Sequence, residues 1–455
     1  MVETKTKQNT FWLWSNAIDF QKRGDVAYWL PANIAATAHL SHKLSGVAEL
    51  SDLRFSPSQN PEDKFFYIDI SNINTSDGYY EKTEIRNAYA PSRARKKLER
   101  FDVIVSTVRP NRNATSIILE EADDLVCSTG FAVLKAIKIN PFYLFVFTKT
   151  PYFIDQLVRQ TSATMYPAVN ENDVLNVWIF VPSEKDQQKV EQIVKEAFQL
   201  KKEAEAAYQE SQQLLNDTLG LSKIKKTLQT AFWRWSDEIN IIARIDPNYY
   251  QNYFQELKAS RKKLKTVKLE ALASLIDYGT VPTSPDAPPE FGTPYLTGKN
   301  IQPNNLVLDK LDYLYTDTTE AIKDKAIRAG DVVITQMGTV GNATVMGEEQ
   351  KGWFFGSFLI RIRPNRNISS EWLALVINSD FGKQQIQQAM TTASVRTNTD
   401  LPTVKGLEIP IIDKKKETQI ANLYIQSRDK KALSRQKLQE AKDLVENLIK
   451  APKAR

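Results

Sequence analysis

The sequence predicts a mixed α/β (α+β) protein made of two similar modules, each closed by a long helix. Three observations carry that expectation: an internal repeat, short apolar runs between turn signals, and two long amphipathic stretches almost free of Pro and Gly. The repeat opens with Phe11-Trp12-Leu13-Trp14-Ser15-Asn16-Ala17-Ile18, which returns as Phe232-Trp233-Arg234-Trp235-Ser236-Asp237-Glu238-Ile239 at an offset of 221. ERFDVIVSTV (Glu99 to Val108) matches RAGDVVITQM (Arg328 to Met337) at 229, placing Asp102 on Asp331, and the run ending at Pro182 matches the run ending at Pro410 at 228. The drift places small insertions in surface loops of the second copy.

Each copy follows one internal plan. Strand-like runs include Phe65 to Ile70, Val103 to Val105 and Val332 to Ile334. One helix-like stretch follows in each copy, Tyr152 to Gln160 and Glu371 to Met390. The second copy adds a Pro/Gly-rich segment from Gly279 to Pro294, expected as an exposed connection. A long helix is expected from Gln187 to Leu221, with heptad rows Val190, Ala197, Ala204, Ser211 and Ile193, Leu200, Ala207, Leu214. Its mate runs from Glu417 to Lys450 through Ile420, Leu423, Ser427, Ser434, Leu438, Ala441, Val445 and Leu448. Two seams of similar length in one chain predict an intramolecular coiled coil. The expected boundaries are 1–182 and 231–410 for the modules, and 183–230 and 411–455 for the helices. A helix of about 32 residues spans roughly 48 Å, close to 14 base pairs of duplex, and a two-headed, pseudo-two-fold device suits two half-sites.

Composition narrows the function. With 42% apolar residues, 20 Phe, 17 Tyr and 8 Trp, the chain has material for real cores, and dominant disorder is excluded. No run of 18 apolar residues exists and the start has no apolar leader, so the expected location is the cytoplasm. The single cysteine, Cys127, excludes a disulfide scaffold and a Cys-based zinc site. A net charge of +6 permits nucleic-acid binding without requiring it.

Catalytic constellations are hard to assemble. Asn140-Pro141-Phe142-Tyr143 lacks the second proline of a methyltransferase loop and reads as a helix start with proline in the first turn. Gly338-Thr339-Val340-Gly341-Asn342 lacks the Lys-Ser/Thr of a phosphate-cradling loop and reads as a tight turn between strands. His39 and His42 fit a surface helix, Cys127 fits a buried thiol, and Glu256-Leu257-Lys258 fits a helix rather than a nuclease core. No catalytic or metal-binding residue is therefore assigned.

Basic and polar clusters are the candidate DNA-binding set. In the first copy they are Arg93, Arg95, Lys96 and Lys97 before one strand, then Thr107, Arg109, Asn111 and Arg112 after it. In the second they are Lys262 and Lys263, Lys299 and Asn300, Gln336 with Thr339 and Asn342, and Arg396 with Thr397. Arginine forks suit guanine edges and phosphates, and Asn and Gln suit adenine. A solvated basic face would explain any one cluster; recurrence in both copies favours DNA.

The order FFYIDISNIN, PSRARKK, FDVIVSTVRPN, CSTGFAVL, SATMYPAV, VWIFVP, then a long helix resembles a target-recognition domain with its spacer helix. PYLTGKNIQ, GDVVITQMGTVGNATVM, TASVRTNTDLP and GLEIPI fit the same pattern. Together they resemble the DNA-specificity subunit of type I restriction-modification systems over nearly the whole chain. The resemblance implies two domains that each read half of a bipartite double-stranded site, with Tyr166 of SATMYPAV in the contact set. It implies that the helices pair antiparallel as a spacer and dock two methyltransferase subunits, with restriction subunits joining them. S-adenosylmethionine and ATP then belong to those partners, and the chain itself holds no cofactor. The first copy departs from the pattern in lacking the Gly-Thr-x-Gly turn. The readings set against this one are a fused or degenerate methyltransferase using Asn140 to Tyr143, and an interaction scaffold independent of DNA.

Overall fold

Valine and isoleucine runs become short central strands because both of their faces are covered. The computed structural model describes residues 40–58, 60–121, 124–161, 167–224, 229–239, 250–281, 287–308, 311–389 and 398–450. The first Trp-x-Trp motif, His39, Tyr166, Arg396 and Thr397 lie outside the described residues. The chain divides into two units: Met1–Lys201 with Ala432–Arg455, and Lys202–Lys431.

The first unit contains β1 (His42–Lys43), β2 (Ala48–Leu50), β3 (Lys64–Ile68), β4 (Thr83–Arg86), β5 (Ala94–Lys97), β6 (Val103–Ser106), β7 (Thr115–Ile117), β8 (Leu125–Ser128) and β9 (Phe131–Ala136). Helices α1 (Pro141–Thr148), α2 (Pro151–Gln160) and α3 (Glu171–Leu175) follow, then β10 (Trp178–Ile179) and the start of α4 (Glu184–Thr218). One sheet has the order β2-β9-β6-β7, a second β4-β3-β8-β5 with β3 and β8 parallel, and β1 pairs with β10. Alternate side chains of β6 and β9 enter two cores. Val103, Val105, Ala132 and Leu134 pack with Phe142 to Phe147 of α1, whereas Ile104, Phe131 and Val133 pack with Ile68 and Cys127 of the second sheet. The sheet is thus sandwiched, which explains why its strands read as unbroken apolar runs.

The second unit contains α5 (Asn252–Lys262), β11 (Thr266–Lys268), α6 (Leu269–Leu272), β12 (Ala273–Tyr278), β13 (Thr293–Leu296), β14 (Ile301–Gln302), β15 (Asn305–Leu306), β16 (Asp312–Leu314) and α7 (Thr316–Ala321). It continues through β17 (Val332–Thr335), β18 (Ala343–Val345), β19 (Phe354–Phe355), β20 (Leu359–Pro364), α8 (Ser370–Asn378), α9 (Asp380–Ala389), α10 (Leu401–Lys405), β21 (Glu408–Pro410) and α11 (Lys414–Lys450). Its sheets run β12-β20-β17-β18 and β16-β13-β19, with β11 paired to β21. The β12-β20-β17-β18 order repeats β2-β9-β6-β7, and the parallel pair β13/β19 repeats β3/β8. Strand β5 has no counterpart in the second unit's sheet.

Several local expectations meet the structure. Asn140 caps α1, its Oδ1 accepting from Phe142 N and Tyr143 N, with Pro141 in the first turn. Cys127 is buried, and that burial pushes its thiol up to about 12. Three readings need correction. His42 stands in strand β1 rather than a helix. The stretch expected from Glu371 to Met390 is, as far as Ala389, two helices broken at Ser379, where Gly382 lets the chain turn back tightly: a Cβ there would lie 2.4 Å from Val376 O. The segment at Gly279 begins inside the sheet, with Gly279 N donating to Leu359 O and Thr280 N to Phe355 O, and a Cβ on Gly279 would lie 2.3 Å from Phe355 O.

Each unit holds part of both long helices. In the first, Ser434 Oγ donates to Ala197 O at 2.8 Å and Lys437 pairs with Glu196 at 3.2 Å. In the second, Lys430 pairs with Glu203 at 2.6 Å and the Tyr208 and Tyr424 rings meet tilted, their centroids 6.3 Å apart. Numbers rise on one helix as they fall on the other, so within each unit the segments run antiparallel. A hydroxyl can reach a carbonyl of the facing backbone because Ala and Ser line the contact, and small side chains let helix axes approach.

The structure buries the row Val190, Ala197, Ala204, Ser211, together with Ile420, Ser427, Ser434, Ala441 and Val445. The expected second row, Ile193, Leu200, Ala207, Leu214, Leu423, Leu438 and Leu448, is only half-buried. Val194, Leu215, Tyr424 and Ile449 are buried in its place. A step of four from the first row follows the 3.6-residue turn of a helix packed on a globular module, rather than the 3.5 of a two-stranded rope.

Candidate nucleic-acid interface

Three parts of the first unit converge on the turn between β8 and β9. Thr129 N donates to Arg93 O at the start of β5, while Gly130 O accepts from Thr107 N at 2.9 Å and Thr107 Oγ1 at 3.0 Å. Val169 N then donates to Thr107 O, and Arg109 N to Pro167 O at 2.7 Å. The two basic clusters, separate in sequence, are thereby brought to one turn, next to the segment that follows Tyr166.

The hairpin joining β6 to β7 has a rigid base and an exposed tip. Ser106 Oγ donates to Val108 O, and Asn113 Nδ2 donates to Thr148 O at 2.7 Å. Asn111 and Arg112 are exposed, Arg109 is half-buried, and Arg93 and Arg95 are exposed. Lys97 is half-buried. Thr107 is buried and spends its hydroxyl on Gly130, so it anchors the loop.

Lys96 departs from the expectation of a surface cation. Only 5% exposed, it donates to Phe131 O at 2.5 Å and is ion-paired with Glu171 of α3. A register shift between Ala94 and Lys96 explains the split: it sets Lys96 opposite Cys127, where it is buried, and leaves Arg95 exposed.

The second unit repeats the hairpin between β17 and β18. Gly341 N donates to Thr335 O, Asn342 N to Thr335 Oγ1 at 3.0 Å, and Thr335 Oγ1 to Thr339 O. Gly338 and Gly341 take left-handed φ of 78° and 79°, so the segment is a tight turn. Gln336 N donates to Phe358 O, and Thr399 N to Gln336 O, placing Gln336 beside the segment that follows Arg396 and Thr397. Thr339 is exposed, Gln336 and Asn342 half-buried.

The remaining expected residues lie elsewhere. Lys262 and Lys263 are exposed at the end of α5. Lys299 is exposed and paired with Asp312 at 2.8 Å. Asn300 is fully buried; its Oδ1 accepts from Thr297 N and its Nδ2 donates to Val307 O, so it holds a turn.

Sequence reasoning passed over Lys383 of α9, whose ammonium donates to Asn342 Oδ1 at 2.6 Å and which burial lowers to about 8. It hid in a helical run of mixed polarity, FGKQQIQQ, with no cluster to mark it. Among the described residues, no group of three His, Cys, Asp or Glu is placed to hold a metal, and no helix is long and apolar enough to cross a membrane.

Residues 261–443 match the family model described as the type I restriction modification DNA specificity domain. No curated protein sequence matches the chain. Among solved structures, the HsdS subunit from Thermoanaerobacter tengcongensis is similar at 23% identity, covering 90% of this chain and 94% of that one, with a TM-score of 0.32. The type I restriction-modification S subunit from M. genitalium is similar at 10% identity over 91% and 96%, with a TM-score of 0.43. A chain from a structure on complex assembly and conformational transition of the type I R-M system is similar at 20% identity over 90% and 96%, with a TM-score of 0.34.

Proposed function

We propose, from the match of residues 261–443 to the type I restriction modification DNA specificity domain, that the chain is the sequence-specific DNA-binding subunit of a type I restriction-modification complex. One observation carries the step from that segment to the whole chain. The first unit repeats the second in its β2-β9-β6-β7 sheet, its parallel strand pair and the hairpin held against the segment before α3 or α10. One chain then holds two readers, and two readers suit a bipartite duplex site, each reading one half. Exposed Arg93, Arg95, Asn111 and Arg112 in one module, and the Gln336 to Asn342 hairpin in the other, are the contacts we assign to phosphates and base edges.

On this reading α4 and α11 pair antiparallel along their length. The 35 residues of α4 span about 52 Å, and the pair sets the gap between half-sites. The same helices dock two methyltransferase subunits, matching the doubled architecture, and restriction subunits join that core. S-adenosylmethionine and ATP are bound by those partners, the chain contributes no catalysis, and the complex works in the cytoplasm on cellular DNA. The test is motif-resolved methylome sequencing of cells carrying this chain with its methyltransferase partner. The expected result is a bipartite methylated motif that disappears with the chain. Methylation at a single contiguous motif would overturn the two-reader assignment, and methyl transfer by the purified chain alone would make it an enzyme.

A further inference from the structure

Beside the 336–342 hairpin, the second unit has an open cleft of about 470 Å³, lined by Tyr253, Thr339, Asn342, Asp380, Lys383 and Gln384 among others. Lys383 has Asn342 Oδ1 as its hydrogen-bond partner, and among the described residues no carboxylate forms an ion pair with it. Burial without a counter-charge is costly for an ammonium. The fold does not require it, because the matching place in α2, three residues into the helix, holds Ile154.

We propose that this cleft seats a phosphate group, held by the Lys383 ammonium with the Thr339 hydroxyl at its rim. Resting on the DNA-reading function proposed above, the phosphate is one from the duplex backbone, gripped as the hairpin tip enters the groove. A neutral base would leave the half-buried ammonium uncompensated, whereas a phosphate oxyanion favours its charged form. The depressed value near 8 is the cost that an anion relieves. The other titratable groups on the cleft are Asp380 on the same helix and Tyr253 from α5, which burial and Asp380 hold protonated. The neighbouring hairpin and α8 present Thr339, Val340, Asn342 and Asn378, none of which titrates.

The experiment measures binding of the full chain to duplex DNA by fluorescence anisotropy across salt and pH. Lys383→Ile, the residue of the first module, should weaken all duplexes alike by about five- to tenfold and reduce the log–log salt slope by about one. Wild-type affinity should fall from pH 7 to 9.5 as the amine deprotonates. Lys383→Arg should keep the salt slope and lose that pH dependence, and Asp380→Asn should tighten binding. Thermal unfolding of each variant checks the fold. In parallel, the Lys383 amine is titrated by NMR with and without inorganic phosphate. If wild-type chain binds duplex but Lys383→Ile keeps its salt slope and pH profile, the cleft assignment falls while DNA reading stands. If wild-type chain binds no duplex yet phosphate raises the amine titration, DNA reading falls and a free-phosphate site remains. Neither binding nor a shift overturns both.

Discussion

Arg109 and Gly338 occupy the same corner of equivalent hairpins, both with left-handed backbone, at φ 51° and 78°. Asn113 takes φ 51° where the second module has Gly341. The first module therefore builds the same turn without its glycines, and an arginine there costs roughly 1 kcal/mol or more of backbone strain. Strain retained at a half-buried loop arginine points to use of its side chain. Arg109→Gly should raise or preserve stability while relaxing specificity in one half-site only. Chemical denaturation and a randomised-site binding assay measure the two effects. Loss of specificity in both half-sites would contradict the separation into two readers.

Lys96 and its neighbours should respond in opposite ways. Removing the buried ammonium in Lys96→Met strands Glu171 and the Phe131 carbonyl, and should cost about 2–4 kcal/mol of stability. The salt slope of DNA binding should stay unchanged. Arg93→Gln with Arg95→Gln should leave the unfolding midpoint alone and lower the salt slope by about two. A reduced salt slope in folded Lys96→Met would return Lys96 to the DNA-facing set.

These contrasts show where the sequence was legible. The doubling was, because the repeat preserves Asp102 and Asp331 in one role: each carboxylate accepts the N–H three residues earlier, from Glu99 and from Arg328, at 2.8 Å. The small-residue helix row was legible too, since Val190, Ala197, Ala204 and Ser211 keep one period. Burial of individual cations was not. Arg95 and Lys96 are adjacent and chemically alike, and only a register shift in the strand decides which one meets Glu171. Asn300 read as a base contact because amide chemistry suits adenine as well as it suits a turn. Lys383 escaped because its meaning comes from a cleft made by three segments distant in sequence.

Asp102 offers a pH test. It is 3% exposed and burial raises its carboxyl to about 6. A raised acid favours the neutral form in the folded state. Its contribution is fully present below the ordinary aspartate range and is lost as pH rises through about 6. Asp102→Asn keeps an acceptor for Glu99 N without ionising. It should stabilise the chain on the order of 2 kcal/mol at pH 7.5 and have little effect at pH 4. Asp331→Asn is the contrast, because Asp331 is paired with Arg363 at 2.7 Å; it should destabilise at pH 7.5. Equal effects of Asp102→Asn at both pH values would show that the carboxyl titrates normally.

The helices can be tested as a ruler. If α4 and α11 set the distance between the two readers, lengthening both should lengthen the unread gap and nothing else. The place to insert is where the chain passes from one unit to the other, after Lys201 and before Ala432. Four residues at each point suit a seam that already steps by three and four, as from Val190 to Val194 to Ala197. They add about 6 Å of rise, or one to two base pairs at roughly 3.4 Å each. Both insertions are needed, because a single one could not keep the Ala197–Ser434 and the Glu203–Lys430 contacts at once. The half-site bases should remain as they were, since neither hairpin is altered. Methylome sequencing of the paired insertion reads both quantities at once. A gap of the original length with methylation retained would mean that the helices serve only to dock partners, and that the spacing is set elsewhere in the complex.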